Sequence, residues 1–186
     1  PAAAMTQARR EERARALYAQ AGYSRENPLQ VELRYNTSTP HRRLALAVAA
    51  MWRETLGVQT RLRNEEWKVF VGTRRQRVIT QVFRGGWIAD IDDARNFLDT
   101  FRSDSASNWS GHADPAYDAL LDAADAAPSL ARRQQLLHEA EARLQAAHAA
   151  LPLYHYTSKH LVHPDVSGFE ANPLDRHPSR FLRLRD

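Results

Sequence analysis

An α/β fold, a sheet whose parallel strands are joined by right-handed helical crossovers, is what this 186-residue sequence predicts. Two observations carry the prediction. Stretches of strict two-residue alternation, such as Leu29-Gln30-Val31-Glu32-Leu33-Arg34-Tyr35, are interleaved with stretches of helical periodicity. Their order over the first half of the chain is helix, strand, helix, strand, helix, strand, which is the order of crossover units.

The elements follow in turn. Thr6 to Ala21 reads as an amphipathic helix stopped by Gly22, with Ala8, Ala14, Leu17 and Ala21 as its inner face. Leu29 to Tyr35 is the first strand. Thr39-Pro40 supplies an N-cap and a first-turn proline, and Leu44, Ala47, Val48, Met51, Trp52 and Leu56 continue that helix to Gly57. Val58 to Arg63 alternates again as the second strand. Trp67 to Gln76 is a short helix with Trp67, Phe70 and Val71 on one face, and Val78 to Trp87 is a third strand that ends in two glycines.

Beyond it the pattern turns helical: Ala94 to Phe101, Asp114-Pro115 to about Ala127, and Ser129 to about Ala150. The last presents Leu130, Leu137, Leu144 and Leu151 at a seven-residue interval, with Leu136 and Ala140 beside them. A single helix of this kind carries a packing stripe rather than a coiled-coil seam. Leu153-Tyr154-His155-Tyr156 and His160-Leu161-Val162 read as two short strands before a Pro- and Asp-bearing tail.

Charge and composition exclude several functions. The formal charge of +4 comes from 26 basic and 22 acidic residues, but only Lys68 and Lys159 are lysines, and the arginines are dispersed among acids, as in Arg10-Glu11-Glu12-Arg13. That is a solvated mixed-charge surface and not a nucleic-acid footprint. The absence of cysteine removes disulfides, thiolate catalysis and Cys-based zinc sites. No apolar run reaches the roughly 18–20 residues that span a bilayer, and Pro1-Ala2-Ala3-Ala4-Met5 has no signal-peptide core, so a targeting sequence is expected upstream.

Ligands on such sheets collect beyond the carboxyl ends of the strands, which places residues 37–41 and 85–90 at one edge. Arg84-Gly85-Gly86-Trp87-Ile88-Ala89-Asp90 combines two glycines, an aromatic plate and a carboxylate. The glycines serve either a turn or the close approach of a second backbone. His41 in the first turn of a helix marks an anion site or an exposed basic turn. Arg74 and Arg84 flank the loop before the glycine strand, and guanidinium forks suit carboxylates. Tyr154, His155 and Tyr156 line a cleft or fill a core. The eight histidines include His155, His160 and His163, close in sequence but without a metal-binding spacing, so no metal or cofactor is expected. A hydrolase triad of a serine, His41 and Asp90 lacks any nucleophile elbow.

Taken in order, Leu33-Arg34-Tyr35-Asn36-Thr37-Ser38 with His41, Glu65-Glu66-Trp67-Lys68 with Thr73-Arg74, and Arg84 to Asp90 resemble the C-terminal portion of the periplasmic oligopeptide-binding proteins of peptide ABC importers, solute-binding protein family 5. Asn96-Phe97-Leu98 with Ser103-Asp104-Ser105, and Pro152-Leu153-Tyr154-His155-Tyr156, extend the similarity over nearly the whole chain. The resemblance implies a type II periplasmic-binding-protein-like lobe, a mixed sheet flanked by helices. It implies a receptor, not an enzyme, that closes over an oligopeptide in the periplasm and hands it to permease subunits of the inner membrane. Dipeptide and murein-peptide receptors of the same family, and a truncated remnant acting as an interaction module, are its alternatives.

By the same resemblance Asp90 takes the peptide's ammonium group, and Gly86, Trp87 and Ile88 pair with its main chain. His41, Arg74 and Arg84 receive its carboxylate, while Trp67 and Tyr156 join Trp87 in lining side-chain pockets. Residues 1–186 then form the C-terminal lobe, with 164–186 returning towards a first lobe that this chain lacks. Two departures stand out: Ile88 occupies a position where some relatives carry a disulfide cysteine, and one extra residue falls between Trp67 and Trp87.

Overall fold

The first strand is central because it is covered on both faces. β1 (Gln30–Asn36) pairs in parallel with β2 (Gln59–Glu65) from Gln30↔Gln59 to Asn36↔Glu65, and with β3 (Val82–Phe83) at Leu33↔Val82 and Arg34↔Phe83. The order is β2-β1-β3, all parallel. Leu33 and Tyr35 pack with Ala45, Val48, Leu62 and Val82, yet Arg34 between them is also buried. Alternation predicted one wet face; a strand inside a parallel sheet has none.

The computed structural model describes residues 5–77 and 81–185, and the chain divides into two compact units, Pro1–Gly86 and Trp87–Asp186. In the first, α1 (Gln7–Gln20) is capped by Thr6, whose hydroxyl accepts from Arg9 N. Its half-buried side is Glu11, Ala14 and Tyr18, whereas Ala8, Leu17 and Ala21 are exposed. Polar tethers orient this helix: the Tyr18 hydroxyl accepts from Leu29 N at 2.8 Å, and Arg15 Nε donates to the Thr55 carbonyl at 3.3 Å.

α2 (Thr39–Leu56) has Ser38 as its N-cap, one residue earlier than expected, so Pro40 stands second in the helix. Gly57, at φ +79°, ends it in the left-handed conformation that glycine adopts without penalty. Its buried line runs through Ala45 and the partly buried Val48 and Trp52, leaving Ala47 and Met51 exposed against expectation. α3 (Trp67–Gln76) matches its predicted span, and the Glu66 carboxylate caps it by accepting from Lys68 N at 2.8 Å and Val69 N at 3.4 Å.

The third strand ends earlier than its sequence suggested. Val78 to Thr80 lie outside the described residues, and pairing covers only Val82 and Phe83, followed by one further bond from Arg84 N to the Arg34 carbonyl at 2.8 Å. Gly85 to Trp87 are not strand; two adjacent glycines bring no side chains to stabilise a ladder.

The second unit is built on three helices: α4 (Ala94–Leu98), continued by a 3-10 turn over Asp99–Phe101, α5 (Pro115–Asp125) and α6 (Leu130–Ala146). Asp93, Asp114 and Ser129 cap them through side-chain oxygens that accept from main-chain N–H groups of the first turn. Leu98, Tyr117, Leu121, Ala124, Leu136, Leu137, Ala140 and Leu144 form the core, and the buried Tyr117 hydroxyl donates to the Leu98 carbonyl at 2.6 Å. The seven-residue stripe holds only in its middle. Leu130 at the first helical position and Leu151 beyond the helix end are 78% and 66% exposed.

Ion pairs brace the Asp93 and Asp114 caps and the body of α5. Arg133 beside Asp93, Arg143 beside Asp114 and Arg102 beside Asp122 each hold the carboxyl below its ordinary range by hydrogen bonding. A carboxyl whose folded pKa is depressed stabilises the fold above the unfolded value and loses that contribution as pH falls through the folded one. The contribution of these three carboxyls to the melting temperature should therefore be complete at about pH 5 and above and be lost below about pH 4. Circular dichroism melts across that range check this; a melting temperature unchanged down to pH 3 contradicts it.

The expected strands at 153–156 and 160–162 do not form, since a lone strand has no partner for its N–H and C=O groups. Residues 150–163 have neither helix nor strand, and they leave Leu151, Leu153, Tyr154, Tyr156 and Leu161 exposed. Instead β4 (Val166–Ser167) pairs antiparallel with β5 (Arg183–Leu184) in the tail. Gly168 allows this: its φ is +81°, and a Cβ there would lie 1.9 Å from the Phe181 carbonyl oxygen. No helix among the described residues is long and apolar enough to cross a membrane.

Candidate functional site

Because β1, β2 and β3 run in parallel, their carboxyl ends feed three segments on one edge of the sheet: residues 37–41, 66–67 and 84–86. The first is held by a local network. Thr37 N donates to the Glu65 carbonyl at 2.7 Å, the Thr37 hydroxyl donates to the same oxygen at 3.0 Å, and Asn64 Nδ2 donates to the Thr37 hydroxyl at 3.1 Å. This fixes the entry to α2, whose N-cap Ser38 makes no side-chain bond to the first-turn N–H groups. His41 is partly buried in that turn.

Three cationic or protonatable groups meet in the first unit. Burial, then the positive charge of Arg84, pushes the His41 pKa down. Burial, then Arg84, also lowers Arg74, to about 10. Arg84 is thus a common electrostatic neighbour of His41 and Arg74, and together with burial it leaves His41 inclined to be neutral rather than charged. Arg74 is 2% exposed, and its guanidinium stands 4.5 Å from the Phe70 ring centre, 5.7 Å from Trp67 and 6.0 Å from Phe83. An aromatic cage of this kind holds a guanidinium whose hydration is weak enough to lose. Trp67 remains 53% exposed.

Neither Gly85 nor Gly86 has positive φ, so no turn requires them. Among the described residues a Cβ on Gly85 would meet nothing within 4 Å, and the three atoms nearest one on Gly86 belong to the far end of the Arg84 side chain, the first at 2.9 Å. The described residues leave the space beside Gly85 open.

In the second unit, Asn96 on α4 fixes the next segment. Its Oδ1 accepts from Trp87 Nε1 at 2.8 Å and from Asp90 N at 3.1 Å, while the Trp87 ring packs 6.1 Å from that of Trp109. Ile88 is 78% exposed. Asp90 is exposed, and no ion pair engages its carboxylate among the described residues. Tyr156 is exposed and stacks obliquely on Tyr154 at 5.3 Å.

The family description "Bacterial extracellular solute-binding proteins, family 5 Middle" matches residues 2–109. The chain belongs to this family. Every candidate residue except Tyr156 lies inside the family match. The periplasmic oligopeptide-binding protein OppA of Salmonella typhimurium is 40% identical over 91% of the chain, which spans 31% of that protein. The periplasmic murein peptide-binding protein MppA of Escherichia coli is 34% identical over 97% of the chain and 34% of its own length. Among solved structures, Haemophilus influenzae OppA in complex with RPPGFSPFR superposes with a TM-score of 0.91 at 33% identity, covering the whole chain and 37% of that protein. The chain thus spans about a third of the relatives it matches, and its fold is that of these peptide-binding proteins.

Two positioning features escaped sequence reasoning. Asn96 stood in a family-like motif, but nothing in its spacing tied it to Trp87 and Asp90. Arg34 read as a solvated position, yet it bonds Glu32 and Glu65 and its carbonyl anchors Arg84. A third group, His160, Asp175 and His177, comes together only through the fold of the tail.

Proposed function

We propose that this chain is the C-terminal, ligand-contacting lobe of an extracytoplasmic receptor that binds short peptides reversibly and passes them to an ABC permease of the inner membrane. The observation that carries the reading is the cluster of His41, Arg74 and Arg84 beside a glycine segment whose backbone is unstrained and whose Cβ space at Gly85 is open. The cluster takes the peptide carboxylate; Gly86, Trp87 and Ile88 offer main-chain N–H and C=O groups; Asp90 takes the ammonium group; Trp67 and Tyr156 supply apolar surface. No bond is made or broken, so the receptor is not an enzyme. The periplasmic relatives support a periplasmic location here, and the remaining part of such a receptor would cover the exposed apolar side chains of 150–163.

A carboxylate placed beside His41 favours its imidazolium, so ligand binding takes up protons and tightens as pH falls towards His41's ordinary value of 6.5. Calorimetry of an unmodified tetrapeptide in two buffers of different ionisation enthalpy should show proton uptake at neutral pH. The C-terminally amidated peptide should bind more weakly and without it. Equal affinity and equal proton uptake for both peptides count against the carboxylate role. The likeness to a murein peptide-binding protein favours a second reading, a receptor for cell-wall peptides; a murein tripeptide binding tighter than ordinary peptides of the same length selects it.

A further inference from the structure

In the tail, the Nε2 atoms of His160 and His177 both meet Asp175 Oδ1, at 2.6 and 3.0 Å, and the three ligand-type atoms all lie within 4.8 Å of one another. Fifteen residues separate His160 from Asp175, so the fold brings the group together. We infer that His160, Asp175 and His177 form a binding site for a borderline divalent transition-metal ion, Zn(II) being the probe of choice.

The ligand set and its geometry support this. Two imidazoles and a carboxylate suit zinc and its neighbours in the first transition row, and three protein ligands leave a position for water or a small anion. Zinc–nitrogen and zinc–oxygen bonds of about 2.0–2.2 Å place tetrahedral ligands roughly 3.4 Å apart. Opening the two short contacts by less than an ångström would admit the ion. Each imidazole would then carry its proton on Nδ1.

The surroundings hold the rings where a metal would need them. Phe169 stacks on His177 with ring centres 3.8 Å apart and planes 16° apart, and it meets His160 edge-on at 5.0 Å. Asn172 pins the turn that presents Asp175: its Oδ1 accepts from Arg176 N at 3.1 Å, and its Nδ2 donates to the Arg176 carbonyl at 2.9 Å. The side chain of His177 is only 12% exposed, whereas His160 and Asp175 are more than a third exposed, leaving one side open to ions.

The test is calorimetric titration of the full chain with zinc sulfate alone. One equivalent should bind, and each of His160→Gln and His177→Gln should weaken binding at least about tenfold. His163→Gln, a nearby histidine outside the group, should leave it unchanged. Zinc should raise the melting temperature of the unmodified chain and of H163Q but not of H160Q or H177Q. A chain that binds no zinc, or whose binding survives both H160Q and H177Q, overturns the proposal. The unmodified chain decides the first point even where a variant fails to fold.

Discussion

Replacing Asp90 by alanine should weaken peptide binding by about 2–5 kcal/mol, on the order of 30- to 4,000-fold. The size follows from what the site does to the charge. In the free chain the Asp90 carboxylate is exposed and, among the described residues, no cation pairs with it, while Asn96 holds its main chain in place. A peptide ammonium group that covers it removes water from both charges and replaces it with hydrogen bonds. Truncating one partner then leaves the other desolvated and unpaired, which costs more than the pair itself contributes. Calorimetry with a free and an N-acetylated peptide isolates the interaction: acetylation should weaken binding to the unmodified receptor but hardly alter binding to the Asp90→Ala variant. If free and acetylated peptides bind the unmodified receptor equally, Asp90 does not hold the ammonium group. Asn96→Ala, which frees Trp87 and Asp90 together, should weaken both peptides.

Local chemistry was legible in the sequence wherever one residue decides a local structure. Thr6, Asp114 and Ser129 announced helix starts because a short polar side chain can reach the free N–H groups of the first turn. Gly57 announced a helix end for the equally local reason of its φ. The placement of residues 37–41 and 84–86 on one edge was legible one step further on, since parallel strands deliver their carboxyl ends there, whereas Arg74 stands in the last turn of α3. What could not be read depends on residues distant in sequence. Leu17 fitted a helical stripe, but the partners of α1 turned out to be a Tyr18 hydroxyl bond and an Arg15 bond. The segment 153–162 has strand composition, but strand formation needs a second strand that the described residues do not provide. His160 belongs with Asp175 and His177 only because the chain turns through Asn172.

Arg34 shows the same point with the largest expected effect on stability. Its side chain is 9% exposed and lies between Glu32 and Glu65, which are 13% and 18% exposed. Its Nε donates to Glu32 Oε1 at 2.9 Å and one terminal nitrogen to Glu65 Oε1 at 2.5 Å. Arg34→Met keeps much of the volume but leaves two largely buried carboxylates facing a neutral side chain, with only the half-exposed Arg63 near Glu32 at 3.5 Å. The expected loss is about 3–5 kcal/mol, read from urea unfolding. Replacing the whole group, Arg34→Met with Glu32→Leu and Glu65→Met, removes the charges together and should recover most of it, because a buried ion network contributes little net stability over apolar packing. A single variant that loses less than about 1 kcal/mol would mean that water reaches these carboxylates and that the sheet is not sealed on this face. Should both variants unfold alike, the loss would come from packing around β1 rather than from charge. Arg34 also presents the carbonyl that anchors Arg84, so a folded triple variant separates two roles of one residue. Peptide affinity retained in that variant would show that the main chain of β1, not the guanidinium of Arg34, positions the carboxylate site.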